Sequence, residues 1–194
     1  MPLLERADSQ LVIIDMQPGF YPAGAAVDRE RLALVTARVA WLAGAAATLG
    51  VPVTVTEEDA ARNGPTAREV LAGLPQRAPV FAKTVFGLAD QPDIVDVVER
   101  LGRRTAVLAG LETDVCVSQS ALGLLERGYT VAVAADATFA PDDAHEHGLR
   151  RMRDAGVVLV HAKGVYYEWV RTLAEARRFE TARPDLVAPP GFSL

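Results

Sequence analysis

Cysteine occurs once in this 194-residue chain, at Cys116, which excludes an intramolecular disulfide and any thiolate-rich zinc site. Lysine is almost as scarce. Of 20 basic residues only Lys83 and Lys163 are lysines, so a lysine set among apolar neighbours calls for a specific reason. The three histidines, His145, His147 and His161, do not accompany a Gly-x-Ser-x-Gly elbow, and serine-hydrolase schemes lack support. Neither Gly-x-Gly-x-x-Gly nor Gly-x-x-x-x-Gly-Lys occurs, so no dinucleotide or nucleoside triphosphate, and no other organic cofactor, is expected. No uninterrupted apolar run approaches the roughly 18 residues of a membrane span. The opening Met-Pro-Leu-Leu-Glu-Arg-Ala-Asp lacks the basic-then-apolar order of a secretion signal, and the expected location is the cytoplasm. A net charge of −5 offers no clustered positive surface for a phosphate backbone. The expected partner is a small molecule, not a nucleic acid or a membrane.

Half of the residues are hydrophobic and 23% are charged, a globular composition, and the length suits one domain over residues 1–194. Short apolar runs at 11–14, 51–56, 79–82, 105–109, 130–134 and 157–160 read as strands. Between them, apolar residues at helical spacing predict helices over 29–49, 66–74, 93–101, 116–127 and 143–155, with a further helix over 166–178. Strands alternating with helices, without hairpin turns, imply an α/β, three-layer, doubly wound fold around a six-stranded parallel sheet. Residues 183–194 form a Pro-rich tail expected to be extended. The cluster of Tyr166, Tyr167, Trp169 and Val170 fits either burial against another subunit or packing onto the chain's own sheet.

In such sheets ligands bind beyond the carboxyl ends of the strands, where the winding reverses. Three chemically capable residues stand at strand ends: Asp15 after the first strand, Lys83 after the third and Cys116 shortly after the fourth. Asp15 can accept a proton, or cap the turn that follows. Lys83 can hold a carboxylate and favour a thiolate, or guard a sheet edge against aggregation. Cys116, expected at a helix start, is either a thiol whose pKa is lowered by unpaired N–H groups or a small buried hydrophobe. Phe20 and Phe86 follow these positions on their loops, as does Tyr21, and either wall a pocket or belong to the core. His145 and His147 are two apart, face different directions on a helix, and are expected at the surface or a pocket rim.

Three segments carry a resemblance: Leu-Val-Ile-Ile-Asp15-Met-Gln-Pro-Gly-Phe, Phe-Ala-Lys83-Thr-Val-Phe-Gly, and Ala-Gly-Leu-Glu-Thr-Asp-Val-Cys116-Val followed by Ala-Asp136-Ala. In order, spacing and neighbours, residues 8–165 resemble the isochorismatase-like hydrolases, a superfamily that also holds nicotinamidases and N-carbamoylsarcosine amidase. The resemblance implies the strand order 3-2-1-4-5-6 and a catalytic triad of Asp15, Lys83 and Cys116. It also implies a cis peptide just before Glu112, an oxyanion hole from the N–H groups of Glu112 and Cys116, and a homo-oligomer. It further implies hydrolysis of a C–N bond, amide or ureido, in a small metabolite through a Cys116 thioester.

The chain departs from metal-dependent nicotinamidases after the second strand, where Glu57-Glu-Asp-Ala-Ala-Arg-Asn-Gly64 contains no histidine, so no metal is expected. It departs from true isochorismatases in having the cysteine. Two alternatives to hydrolysis stand: the fold with Cys116 as an oxidant-sensitive thiol, or a crevice that only binds a metabolite.

Overall fold

The computed structural model describes residues 3–192. Each strand–helix unit follows from local chemistry. β1 (Ser9–Ile14) is apolar on both faces, as a strand inside a parallel sheet must be. α1 (Arg29–Leu49) starts at Asp28, whose carboxylate accepts from Arg31 N, and ends at Gly50 in the left-handed conformation, φ 71°. β2 (Val53–Glu58), the short helices α2 (Ala60–Asn63) and α3 (Arg68–Gly73), β3 (Val80–Lys83) and α4 (Pro92–Arg100) follow. β4 (Thr105–Leu111) leads through a π-helical turn, Thr113–Val117, into α5 (Ser118–Glu126). The chain continues through β5 (Thr130–Phe139), α6 (Ala144–Asp154), β6 (Val158–Val160), α7 (Ala162–Val170) and α8 (Leu173–Ala182).

All strand pairs are parallel, in the order β3-β2-β1-β4-β5-β6, the order implied by the resemblance. The two faces of the sheet are read out by alternation along the strands. Leu11, Ile13, Val107 and Ala109 pack with Val39, Leu42, Val165 and Trp169 of α1 and α7. Val12, Ile14, Ala106 and Leu108 pack with Ile94, Leu124 and Met152 of α4, α5 and α6. Each such buried side chain contributes roughly 1.5–3 kcal/mol. Helix α1 is long and apolar enough by length and composition to cross a membrane, although Arg31, Thr36 and Arg38 interrupt its apolar residues. Its Val35, Val39, Leu42 and Ala46 are instead buried on the sheet.

Several boundaries differ from expectation. The helix expected over 166–178 is two helices, broken at Arg171, φ 61°. Thr172 accepts from Glu175 N and starts α8, because a Thr-x-x-Glu capping sequence competes with helix continuation. β5 runs on to Phe139, with a register irregularity against β4 between Leu108 and Gly110. The aromatic cluster packs inward: Tyr166 and Trp169 are buried, and Tyr166 meets Trp41 and Phe179 edge-on. Of the two alternatives for the cluster, packing onto the chain's own fold is the one found for Tyr166, Trp169 and Val170, and Tyr167 is left on the surface. The tail contains a short 3-10 turn, Pro184–Leu186, and lies along α1, where Trp41 Nε1 donates to Leu186 O at 2.8 Å and Arg38 Nε to Pro190 O at 3.1 Å.

Candidate active site

The strand order sets Asp15 and the Cys116 turn on adjacent strands and puts Lys83 two strands away from Asp15, across β2. A lysine stem is long enough to cross that neighbour. Lys83 Nζ lies 2.7 Å from Asp15 Oδ2, with both side chains fully buried. The ammonium also donates to the carbonyls of Val85 and Phe86, each at 3.0 Å, so it is provided with acceptors on several sides. A buried charge needs such compensation, since an unpaired one costs several kcal/mol.

Asp15 has φ 48°, a left-handed conformation that aspartate tolerates better than most residues. Its N–H donates to Thr56 O at 3.0 Å, and its own carbonyl accepts from Gln17 N at 2.7 Å. Its second carboxylate oxygen, Oδ1, accepts from the Thr56 hydroxyl at 2.7 Å. Thr56 was missed in the sequence, where it reads only as a β-branched strand residue. Gln17 is buried and ties the loop after β1 to the loop after β2: its Nε2 donates to Glu58 O at 3.1 Å and Gly64 O at 2.6 Å, and its Oε1 accepts from Glu58 N at 2.7 Å.

Cys116 is buried in the π-helical turn. The lowered thiol pKa expected at a helix start is not found. Burial, followed by the negative field of Asp15, pushes the thiol up to about 12, with Lys83 opposing them. The cause is desolvation, which disfavours the charged thiolate more than the ammonium favours it. The resting group is a neutral thiol beside a carboxylate–ammonium pair.

The Leu111–Glu112 peptide is cis. Glu112 O accepts from Val115 N and Val117 N, and the Glu112 carboxylate accepts a short hydrogen bond from the Tyr21 hydroxyl. Burial and that carboxylate raise the Tyr21 pKa far above its ordinary value. Tyr21 in turn meets Phe139 edge-on at 5.5 Å. Phe20 is half-buried against the core, whereas Phe86 is 54% exposed. His145 is buried, not at a rim, with Nδ1 2.8 Å from Thr113 Oγ1, and desolvation lowers its pKa.

The acidic loop after β2 holds itself together. Glu57 Oε1 accepts from the backbone N–H and the hydroxyl of Thr66 at 2.7 and 2.8 Å, and Glu58 Oε2 accepts from Asn63 Nδ2 at 3.0 Å. Among the described residues no group of three or more His, Cys, Asp or Glu could hold a metal ion. A cavity of about 710 Å³ on the α1 side is lined by Met16 and Leu111, the chain neighbours of Asp15 and Glu112, while Asp15, Lys83 and Cys116 stand outside its lining.

Residues 9–163 match the family model described as the isochorismatase domain. Isochorismatase family protein 2B of Dictyostelium discoideum is 34% identical over 131 residues, 62% of this chain and 60% of its own length; the chain thus spans about three-fifths of that relative. Among solved structures, an Escherichia coli gene product, YcaC, described as an octameric hydrolase of unknown specificity, has a TM-score of 0.81 at 27% identity, covering 96% of this chain and 93% of its own. A Caenorhabditis elegans protein described as MAR1 ribonuclease has a TM-score of 0.84 at 24% identity, covering 100% and 98%, a likeness of fold.

Proposed function

Because the chain belongs to the isochorismatase family, we propose that it is a cysteine hydrolase that cleaves a C–N bond, amide or ureido, in a small metabolite. The observation that carries this reading is the buried Asp15–Lys83 pair, 2.7 Å apart, close enough to the only thiol for both charges to act on its ionisation. A buried ion pair carries a desolvation cost that its own attraction and hydrogen bonds must offset, and a perturbed thiol beside such a pair is the kind of grouping found at functional sites.

In this mechanism Asp15 takes the Cys116 proton as sulfur attacks the carbonyl carbon. The net charge of the three groups is unchanged by the transfer, which suits a site with little water. The new S–C bond forms as the carbonyl π pair moves onto oxygen, and the N–H groups of Glu112 and Cys116 are the proposed donors to that oxyanion, each worth about 3–4 kcal/mol. Collapse of the tetrahedral adduct breaks the C–N bond, and Asp15 returns the proton to the leaving nitrogen. Water then attacks the thioester, its proton going to Asp15, and the departing sulfur recovers a proton as the acid is released. Phe20 and Phe86 are proposed to wall the substrate side. No organic cofactor or metal is assigned a step. A homo-oligomer belongs to the same reading, supported by the octameric description of the E. coli neighbour.

Ammonia release from a panel of small amides and ureido acids tests the reading. Turnover by the native protein should fall at least about a thousandfold in Cys116→Ala and in Asp15→Asn, and an acyl adduct should appear on Cys116 by mass. Turnover that survives either substitution would overturn it. So would reversible sulfenic acid on Cys116 with no acyl adduct across the panel.

A further inference from the structure

We propose that Thr56 is a positioning residue, which locks one oxygen of Asp15 so that the other is the oxygen that works with Lys83 and Cys116. The inference rests on the reading of Asp15 as the base. Thr56 grips Asp15 at two points across the β1–β2 pair: its carbonyl accepts from Asp15 N at 3.0 Å, and its hydroxyl donates to Asp15 Oδ1 at 2.7 Å. Both residues are completely buried. The left-handed backbone of Asp15, φ 48°, leaves its side-chain direction dependent on what surrounds it, since such conformations persist only where neighbours enforce them.

The grip divides the carboxylate. Oδ1 is held by Thr56 and Oδ2 faces Lys83, so rotation of the carboxylate group would break both contacts at once. Thr54 supplies a contrast. It lies two residues earlier on the same face of β2, is equally buried, and its hydroxyl has no hydrogen-bond partner. A threonine on this face is thus compatible with an idle hydroxyl, and the engagement of Thr56 is specific to the place where the strand passes Asp15. The Thr56 hydroxyl also draws carboxylate charge toward Oδ1, away from Oδ2. The charged groups acting on Cys116 are Asp15 and Lys83, so the reactivity of the thiol reports on how Asp15 is held.

Alkylation of Cys116 by iodoacetamide across pH, followed by mass, reads this without any substrate, because the chain has one cysteine. Loss of a hydrogen bond to a charged group should slow alkylation of Thr56→Val about tenfold at pH 8 and move its profile to higher pH. Thr56→Ser, which keeps the hydroxyl, should stay within about twofold of the native protein. An unchanged rate and profile in Thr56→Val overturns the proposal, and so does a Thr56→Ser protein that reacts as slowly as Thr56→Val should. If Thr56→Val does not fold, Thr56→Ala, which also lacks the hydroxyl, carries the same expected slowing of about tenfold, and an unchanged rate and profile there overturns the proposal. Asp15→Asn separates the two levels: a native-like profile there removes the hydrolase reading itself, whereas an altered Asp15→Asn profile beside a native-like Thr56→Val profile removes only the role of Thr56.

Discussion

Replacing Lys83 by Met keeps most of the side chain's volume and removes its charge, leaving Asp15 buried beside an apolar chain end. The native contact is 2.7 Å between side chains with no exposed surface, so water cannot take the place of the ammonium without opening the sheet edge. Breaking one partner of a buried pair costs about 3–5 kcal/mol, and the carbonyls of Val85 and Phe86 lose their donor in the same substitution. With a urea m-value of about 2 kcal/mol/M, a 4 kcal/mol loss lowers the unfolding midpoint by about 2 M. The converse substitution, Asp15→Asn, strands the ammonium and should be destabilising as well. The double variant removes both charges, so its loss should fall short of the sum of the single losses by about 2 kcal/mol or more. Urea titration of the four proteins at one concentration measures the cycle. A Lys83→Met loss below about 1 kcal/mol, or losses that simply add, would refute the claim that this pair is mutually dependent and desolvated.

Two further outcomes follow from the same geometry. The Cys116 thiol goes from an ordinary 9.0 to about 12 in the folded chain. The folded state thus holds its proton more tightly than the unfolded state, stability is unaffected below pH 9, and it falls as pH rises from 9 toward 12. Relative to Cys116→Ser, the native protein should lose on the order of 2–3 kcal/mol by pH 11, measured by urea unfolding at each pH; a difference between the two that stays flat with pH contradicts the burial argument. Gly110 has φ 129°, and a Cβ there would lie 1.9 Å from Ile14 O. Gly110→Ala should therefore force β1 and β4 apart just before Asp15 and Glu112, at a cost of about 3 kcal/mol or more, and a thermal midpoint within a degree or two of the native value would show that the strands can yield.

The amino-acid sequence by itself determined the alternation of strands and helices, because side-chain periods of 2 and 3.6 are local and each element here buries faces of its own. It also determined which strand ends carry Asp15, Lys83 and Cys116, and, through its resemblance to a family, the strand order. The split at Arg171 was legible in principle in Thr172-Leu-Ala-Glu175, a capping signal outweighed by the helical spacing around it. What only the tertiary structure decided are the contacts between residues far apart in the chain: Thr56 on Asp15, Tyr21 on Glu112, His145 on Thr113, and the inward burial of Trp169. The state of the thiol belongs with these. A helix start favours a thiolate and desolvation opposes it, and the amount of water left around Cys116 is set by segments packed from across the whole chain, which no local window of residues contains.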